Sequence, residues 1–301
     1  MALGIASFVA LVGAYRDLGT SYDRTYERLR FADMTFEVTS APQTIATEIA
    51  AIPGVQSVTG RLVLDSGLSI QSRPGSEKLI RCRLIGIPAG RHPAVDDVLV
   101  TRGSYLNRTS RREALVESHF AKAYSVKPGD LLSPYLNGKA TPFSVVGAAA
   151  SPEYLIVSSS RQDIIPDAKH FAVLFVPLRS LQAAYGVGRT FNNLAVLFRS
   201  GASGSALAAK IRFLLAPYGL RKVTLRKDQP SNAALKVDLE GFREIGFLMP
   251  ALILLAAAAS LFVMLGSSES PWWNRVSTRT AFSSGSERAF LLHCWQAQSP
   301  P

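Results

Sequence analysis

The sequence predicts an α+β membrane protein, with two transmembrane helices flanking a large split β-α-β domain that carries a β-rich insertion. Three observations predict it. Residues 245–266 read IGFLMPALILLAAAASLFVMLG, an uncharged apolar run. Two separate segments, 34–64 and 192–227, read as strand, helix, strand. Between them, 79–185 holds short strand-like runs separated by turn signals.

A helix rises ~1.5 Å per residue and the hydrocarbon core is ~30 Å thick, so 245–266 is long enough to form a transmembrane helix. The run lies far from the N-terminus, which excludes a signal peptide. Pro250 near its start is tolerated in a membrane helix, where neighbours satisfy the freed carbonyl. A second apolar stretch, Ala2 to Ala14, opens the chain with no charge before Arg16. It is too short to span by itself, and it lacks the Lys/Arg-rich start of a signal peptide. We read 1–15 as a partial first transmembrane helix whose beginning is missing. Residues 16–31 continue it as a stem helix, with Leu18, Tyr22, Leu29 and Phe31 as a sparse apolar stripe.

The region 32–240 reads as one large domain. Met34 to Val38 alternates as a strand does. Pro42 suits a first helical turn, and Ile45, Ile49 and Ile52 carry helical spacing up to a stop at Pro53-Gly54. Val55 to Leu64 is the return strand. In the later unit, Asn192 to Phe198 is a strand and Ala202 to Ala216 a helix with Leu207, Ile211 and Leu214 on one side. Pro217-Tyr218-Gly219 ends it, and Arg221 to Arg226 is a strand. In the insertion, strands are expected at 79–87, 97–101, 113–117, 130–136, 142–148 and 171–176. Short helices are expected at 119–124 and 177–185. Asn137-Gly138 between strands favours a tight hairpin. The tail 267–301 is irregular, with Trp272 and Trp273 suited to headgroup level.

Charged residues make up 18% of the chain, low for a soluble protein and in keeping with a part-membrane one. The net charge is +11, but Lys and Arg are mixed with Asp and Glu, as in Ser21 to Asp33. Nucleic-acid binding needs a localised basic footprint, and none is present. Cys82 and Cys294 give neither a metal spacing nor a disulfide framework.

No phosphate-cradling loop occurs; the nearest fragment, Asn137 to Thr141, lacks the upstream glycine. Gly201-Ala202-Ser203-Gly204-Ser205 departs from a nucleophile elbow at position 205, which must be glycine. His92, His119, His170 and His293 read as isolated, and Asp96-Asp97 and Glu153 as lone acids without partners. Asn107-Arg108-Thr109 fits a glycosylation sequon, a short pattern common by chance. The sequence therefore assigns no catalytic, cofactor-binding or metal residues and no cofactor, leaves substrate-binding residues unassigned, and reads as no enzyme.

The order of membrane helix, α/β domain with β-rich insertion, and membrane helix resembles the MacB- and FtsX-like permeases of ATP-binding-cassette (ABC) transporters. Ala51-Ile52-Pro53-Gly54-Val55 resembles the helix end of their periplasmic core domain. Ala114-Leu115-Val116-Glu117, Val126-Lys127-Pro128-Gly129-Asp130 and Phe143-Ser144-Val145-Val146-Gly147 resemble a further stretch of it. Leu239 to Leu265 resembles the approach to their second transmembrane helix. The likeness covers about residues 1 to 266. These permeases have four membrane helices; the third and fourth have no counterpart here, and Glu287 to His293 only faintly resembles the region before a third. We therefore expect a reading frame truncated or shifted near Gly266, which resequencing the locus would settle.

The resemblance implies a permease subunit in a bacterial inner (plasma) membrane, multi-pass, with the split β-α-β domain extracytoplasmic. Arg16, Arg24, Arg28, Arg30, Lys236 and Arg243 flank the spans on the domain side, so a bare positive-inside count would place it inside. That rule applies poorly to long loops. The partners implied are an ABC ATPase subunit, a second permease subunit and the lipid bilayer. Work would be mechanical, with Tyr15 to Phe31 and Leu235 to Glu244 as levers. Export and lipoprotein or lipid extraction are both compatible. The alternative is a membrane-anchored extracytoplasmic sensor or ligand-binding module; a sensor needs a cytoplasmic output domain, which the tail does not supply.

Overall fold

The structure is a computed structural model, and it describes residues 2–73, 76–155 and 169–267. The expectations placed on Trp272, Trp273, Glu287 to His293 and Cys294 lie outside the described residues. The chain divides into two compact units, residues 9–246 and residues 1–8 with 247–301.

Helix α1 runs from Ala2 to Arg28 without interruption. The first unit then builds one sheet from β1 (Met34–Pro42), β2 (Val55–Arg73), β3 (Ser76–Ile87), β4 (Leu99–Gly103), β5 (Glu113–Glu117), β6 (Leu131–Leu136), β7 (Lys139–Ala140), β8 (Phe143–Ala150), β9 (Phe171–Pro177), β10 (Thr190–Phe198) and β11 (Leu220–Leu225). The order is β11-β1-β10-β2-β3-β9-β5-β8-β6-β7, with β4 on β8. Helices α2 (Gln43–Ala50), α3 (Ser118–Ala123), α4 (Leu178–Tyr185) and α5 (Gly204–Leu215) pack against it.

Two regions of core form for different reasons. Strand side chains alternate between faces, so Met34, Phe36 and Val38 of β1 point one way and Thr35 and Glu37 the other. The apolar set meets Ile45 and Ile49 of α2 and Leu207, Ile211 and Leu215 of α5. Fully burying one such side chain stabilises by roughly 1.5–3 kcal/mol, enough to hold two short helices that would not form alone. At the far side, β9 is buried along its whole length. Ala172, Leu174 and Val176 face one cluster, while Phe171, Val173 and Phe175 face another. That explains its near-continuous apolar sequence.

β2 is longer than the sequence suggests. Its first part pairs with β10 and its second with β3, through Asp65↔Arg83, Ser66↔Cys82 and Gly67↔Arg81. Asp-Ser-Gly has turn composition, yet cross-strand pairing overrides that preference. Asn137 and Gly138 both take positive φ, +47° and +77°, and close the β6–β7 hairpin. Gly54 takes φ +96°, and a Cβ there would lie 3.1 Å from Leu207 Cδ1, so glycine lets α2 turn into β2 beneath α5 without strain or crowding.

Helix α6 runs from Pro230 to Ser267 and continues through Pro250. Within it, Pro230–Leu265 is, among the described residues, the one helix long and apolar enough to cross a membrane by length and composition. The second flanking span expected from the sequence is not shown. In α1 the uncharged part ends at Tyr15, and Arg16 and Asp17 follow directly.

Candidate functional site

A dense network of polar contacts gathers where the stem enters the sheet. The last turn of α1 closes with Leu29 N–H donating to Thr25 O at 2.9 Å and Phe31 N–H to Tyr26 O at 2.9 Å. Arg30 sits between them at φ +52°, an unusual place for a bulky residue. A helix end leaves carbonyls without intrahelical donors, and here the loop before β4 supplies them. Asp97 N–H donates to Leu29 O at 2.8 Å and Asp96 N–H to Arg30 O at 3.0 Å. Ala32 N–H donates in return to Asp96 Oδ1 at 2.8 Å.

The Arg30 side chain reaches the same loop. Its guanidinium donates to Ala94 O at 2.9 Å, Pro93 O at 2.7 Å and Asp97 Oδ2 at 2.9 Å. From the other side, Arg226, just past β11, donates to Ala32 O at 3.1 Å and to Phe31 O, and pairs with Asp33 Oδ1 at 2.9 Å. Loop and arginine together clamp Leu29–Asp33.

Behind the clamp lies a buried charged hub. Arg61 on β2 is 3% exposed and Asp96 3% exposed. Arg61 donates from both terminal nitrogens to Glu153 at 2.6 Å and from Nε to Asn193 Oδ1 at 2.8 Å. Its Nη1 lies 3.3 Å from Asp96 Oδ2. Burial, followed by the charge of Glu153, pushes the Asp96 carboxyl well above the usual carboxylate range. Arg61, the Ala32 N–H and Arg226 act in the opposite sense.

An open polar groove of about 820 Å³ runs across the face of the sheet opposite α2 and α5. Cross-strand partners form one row along it: Lys222 with Glu37, Glu37 with Asn193, Asn193 with Arg61. Its charges are largely met internally, by Arg61 with Glu153, Arg83 with Asp65 at 2.7 Å and Lys222 with Glu37 at 3.8 Å.

Below the clamp, Tyr26 and Phe31 from the stem side pack with Leu235 from the start of α6, flanked by Tyr22, Leu155 and Leu239. The Tyr26 and Phe31 rings stack 4.7 Å apart. Burial first, then Tyr22, pushes the Tyr26 hydroxyl up to about 12. The two segments expected as levers thus share one apolar contact.

The expectations of lone acids and isolated histidines need correction for Asp96, Asp97, Glu153, His92 and His119. Asp96, Asp97 and Glu153 are not lone acids; they hold Ala32, Arg30 and Arg61, respectively. Asp97 also receives His92, at 2.7 Å. His119 is not isolated either, since its Nδ1 lies 2.7 Å from Glu117 Oε1, the carboxylate that caps α3. These partners are distant in sequence or shared with a cap, so spacing alone hid them. One signal was present: Arg61 precedes the apolar Leu62-Val63-Leu64, and a charge entering such a strand needs a buried partner. Ser203 Oγ lies 3.3 Å from Ser205 Oγ at the start of α5. No group of acid, cysteine and histidine side chains among the described residues has the makings of a metal site.

Residues 1–214 match the family described as the MacB-like periplasmic core domain. The chain belongs to this family. It carries the MacB-like periplasmic domain of an ABC-type transporter permease. Solved structures are similar at low identity. One is the extracellular domain of the noncanonic ABC-type transporter YknZ from Gram-positive bacteria, at 15% identity and TM-score 0.43, covering 64% of this chain and 100% of that one. Another is the periplasmic region of MacB from Actinobacillus actinomycetemcomitans, at 13% identity and TM-score 0.42, covering 71% and 95%. A third is a permease-protein domain from Porphyromonas gingivalis, at 14% identity and TM-score 0.35, covering 63% and 84%. Membership of the MacB-like family rests on the sequence match, not on these likenesses. Among curated proteins none matches the chain.

Proposed function

We propose that this chain is the permease subunit that couples ATP hydrolysis by a partner ABC ATPase to motion of its MacB-like domain outside the inner membrane. The observation that carries the reading is the clamp on Leu29–Asp33. A stem whose terminal carbonyls are held by a loop and by Arg226 passes a displacement into the sheet instead of bending at a linker. The shared contact of Tyr26, Phe31 and Leu235 ties the start of α6 to the same point. A second permease subunit completes the assembly, and the work it does is export or the extraction of lipoprotein or lipid.

Three measurements test it together. The full chain, tagged and expressed with the ATPase of its own locus, should retain that ATPase through purification, while the chain alone hydrolyses no ATP above a vector control. Lys139, exposed at the β6–β7 turn, replaced by cysteine in a Cys294→Ser background, should react with a membrane-impermeant maleimide in cells with a permeable outer barrier. Reaction only after inner-membrane lysis, or ATP hydrolysis by the chain alone, would overturn the reading.

A further inference from the structure

At the joint between stem and sheet one positive charge is buried against two negative ones: Arg61 lies between Asp96 and Glu153. An uncompensated charge out of water is costly, and a buried carboxyl relieves the cost by binding a proton. The two carboxyls are not equivalent. Glu153 has both oxygens held by the arginine fork at 2.6 Å. Asp96 has the longer 3.3 Å contact, and its Oδ2 is buried with no hydrogen-bond partner. Of the two carboxyls, Asp96 is therefore the one that binds the proton. The groups that face Asp96 are Arg61 from β2, Glu153 from the 3₁₀ turn after β8, Arg226 from the turn after β11, and the Ala32 N–H.

Asp96 is also the residue through which the hub touches the stem. Its N–H donates to Arg30 O, its Oδ1 accepts from Ala32, and it takes φ +53° to do both. A left-handed aspartate in a buried site persists only where its surroundings hold it there.

We propose that Asp96 is a proton-sensitive positioning residue: protonated, it balances the buried cluster and holds the end of the stem; ionised, it leaves a net negative charge in the hub and loosens the attachment of Leu29–Ala32. The sign follows from linkage. With the Asp96 carboxyl raised to about 7 from an ordinary 3.8, the folded joint binds the proton more tightly than the unfolded chain does. Its contribution is therefore complete at acid pH and is lost as pH rises through that range. The consequence for transport rests on the lever reading above; the joint itself can be tested without it.

Hydrogen exchange of the full chain in detergent reads the joint directly, with each rate divided by the intrinsic rate at that pH. Protection of amides in 29–33 and 94–97 should fall about tenfold or more between about pH 5 and about pH 8, since each pKa unit is worth a factor of ten. Protection in β9 should stay unchanged over the same range. Asp96→Asn, which keeps an acceptor for Ala32, should give a flat and protected profile. Glu153→Gln, which removes the repelling charge, should move the transition to lower pH, and it decides the matter if Asp96→Asn fails to fold. A flat wild-type profile, a wild-type slope retained in Asp96→Asn, or an unmoved transition in Glu153→Gln would overturn the proposal. Loss of ATPase association would instead overturn the permease reading and leave this profile as it is.

Discussion

Arg226 stands over the ring of Phe31, its guanidinium carbon 5.6 Å from the ring centroid, while the same guanidinium donates to the Phe31 carbonyl. One side chain thus holds both the backbone and the ring of the residue that ends the stem. Charge-assisted hydrogen bonds such as those to the Phe31 and Ala32 carbonyls are worth roughly 1.5–3 kcal/mol, so Arg226→Ala should destabilise the domain by about that much. Arg226→Lys should recover only part of it, because an ammonium cannot present two parallel donors and a flat face at once. Thermal melting of the full chain in detergent measures both; equal melting of the lysine variant and wild type would refute the account.

Arg61→Ala leaves Asp96 and Glu153 buried without their counter-charge. Removing one partner of a buried pair costs about 3–5 kcal/mol. The loss should deepen as pH rises, because Asp96 is then ionised in the unfolded chain and its charge is disfavoured in the folded one. Melting curves at about pH 5 and about pH 8 should therefore separate wild type and variant more widely at the higher value. A gap that narrows with pH would contradict the buried-hub description.

His119 titrates in the same sense as Asp96, for a different reason. Its hydrogen bond to Glu117 raises its pKa above 6.5, against some opposition from burial. The protonated form therefore favours the folded state. That contribution is complete below the ordinary histidine range and is lost as pH rises through the raised value. His119→Ala should remove this pH dependence while sparing the α3 cap, because Glu117 still accepts from the backbone of His119 and Phe120 at 3.0 Å. NMR titration of the ring gives the direction; a midpoint below 6.5 would be inconsistent with it.

Gly54→Ala should cost about 1–3 kcal/mol, through strain at positive φ. The crowding against Leu207 adds to this. Leu207→Ala in the same background should relieve the crowding but not the strain, so the pair should be less than additive. Fully additive losses would show that the two residues do not meet.

The local signals in the sequence were read at the right places. Pro53-Gly54 does turn a helix into a strand, Asn137-Gly138 does close a hairpin, and Glu113–Glu117 is a strand with the expected ends. Each depends on residues adjacent in sequence. The extent of β2 was not legible, because pairing of Asp65, Ser66 and Gly67 with β3 is a tertiary effect. The hub was hidden for the same reason. Arg61 and Glu153 are 92 residues apart, and Ala32 and Asp96 64. No spacing rule connects them, and each acid looks unattended until the sheet brings it to its partner. The long apolar helix over 245–266 was legible from composition alone, whereas α1 shares its apolar start with a charged remainder.

The strand that follows the stem is β1, and β1 has β11 on one side and β10 on the other. A lever fastened to the border of a sheet would tear that border away one rung at a time. Fastened to an inner strand, with ladders along both flanks, it must drag two neighbours together, so any tug on the stem is shared among many rungs before a single one gives way.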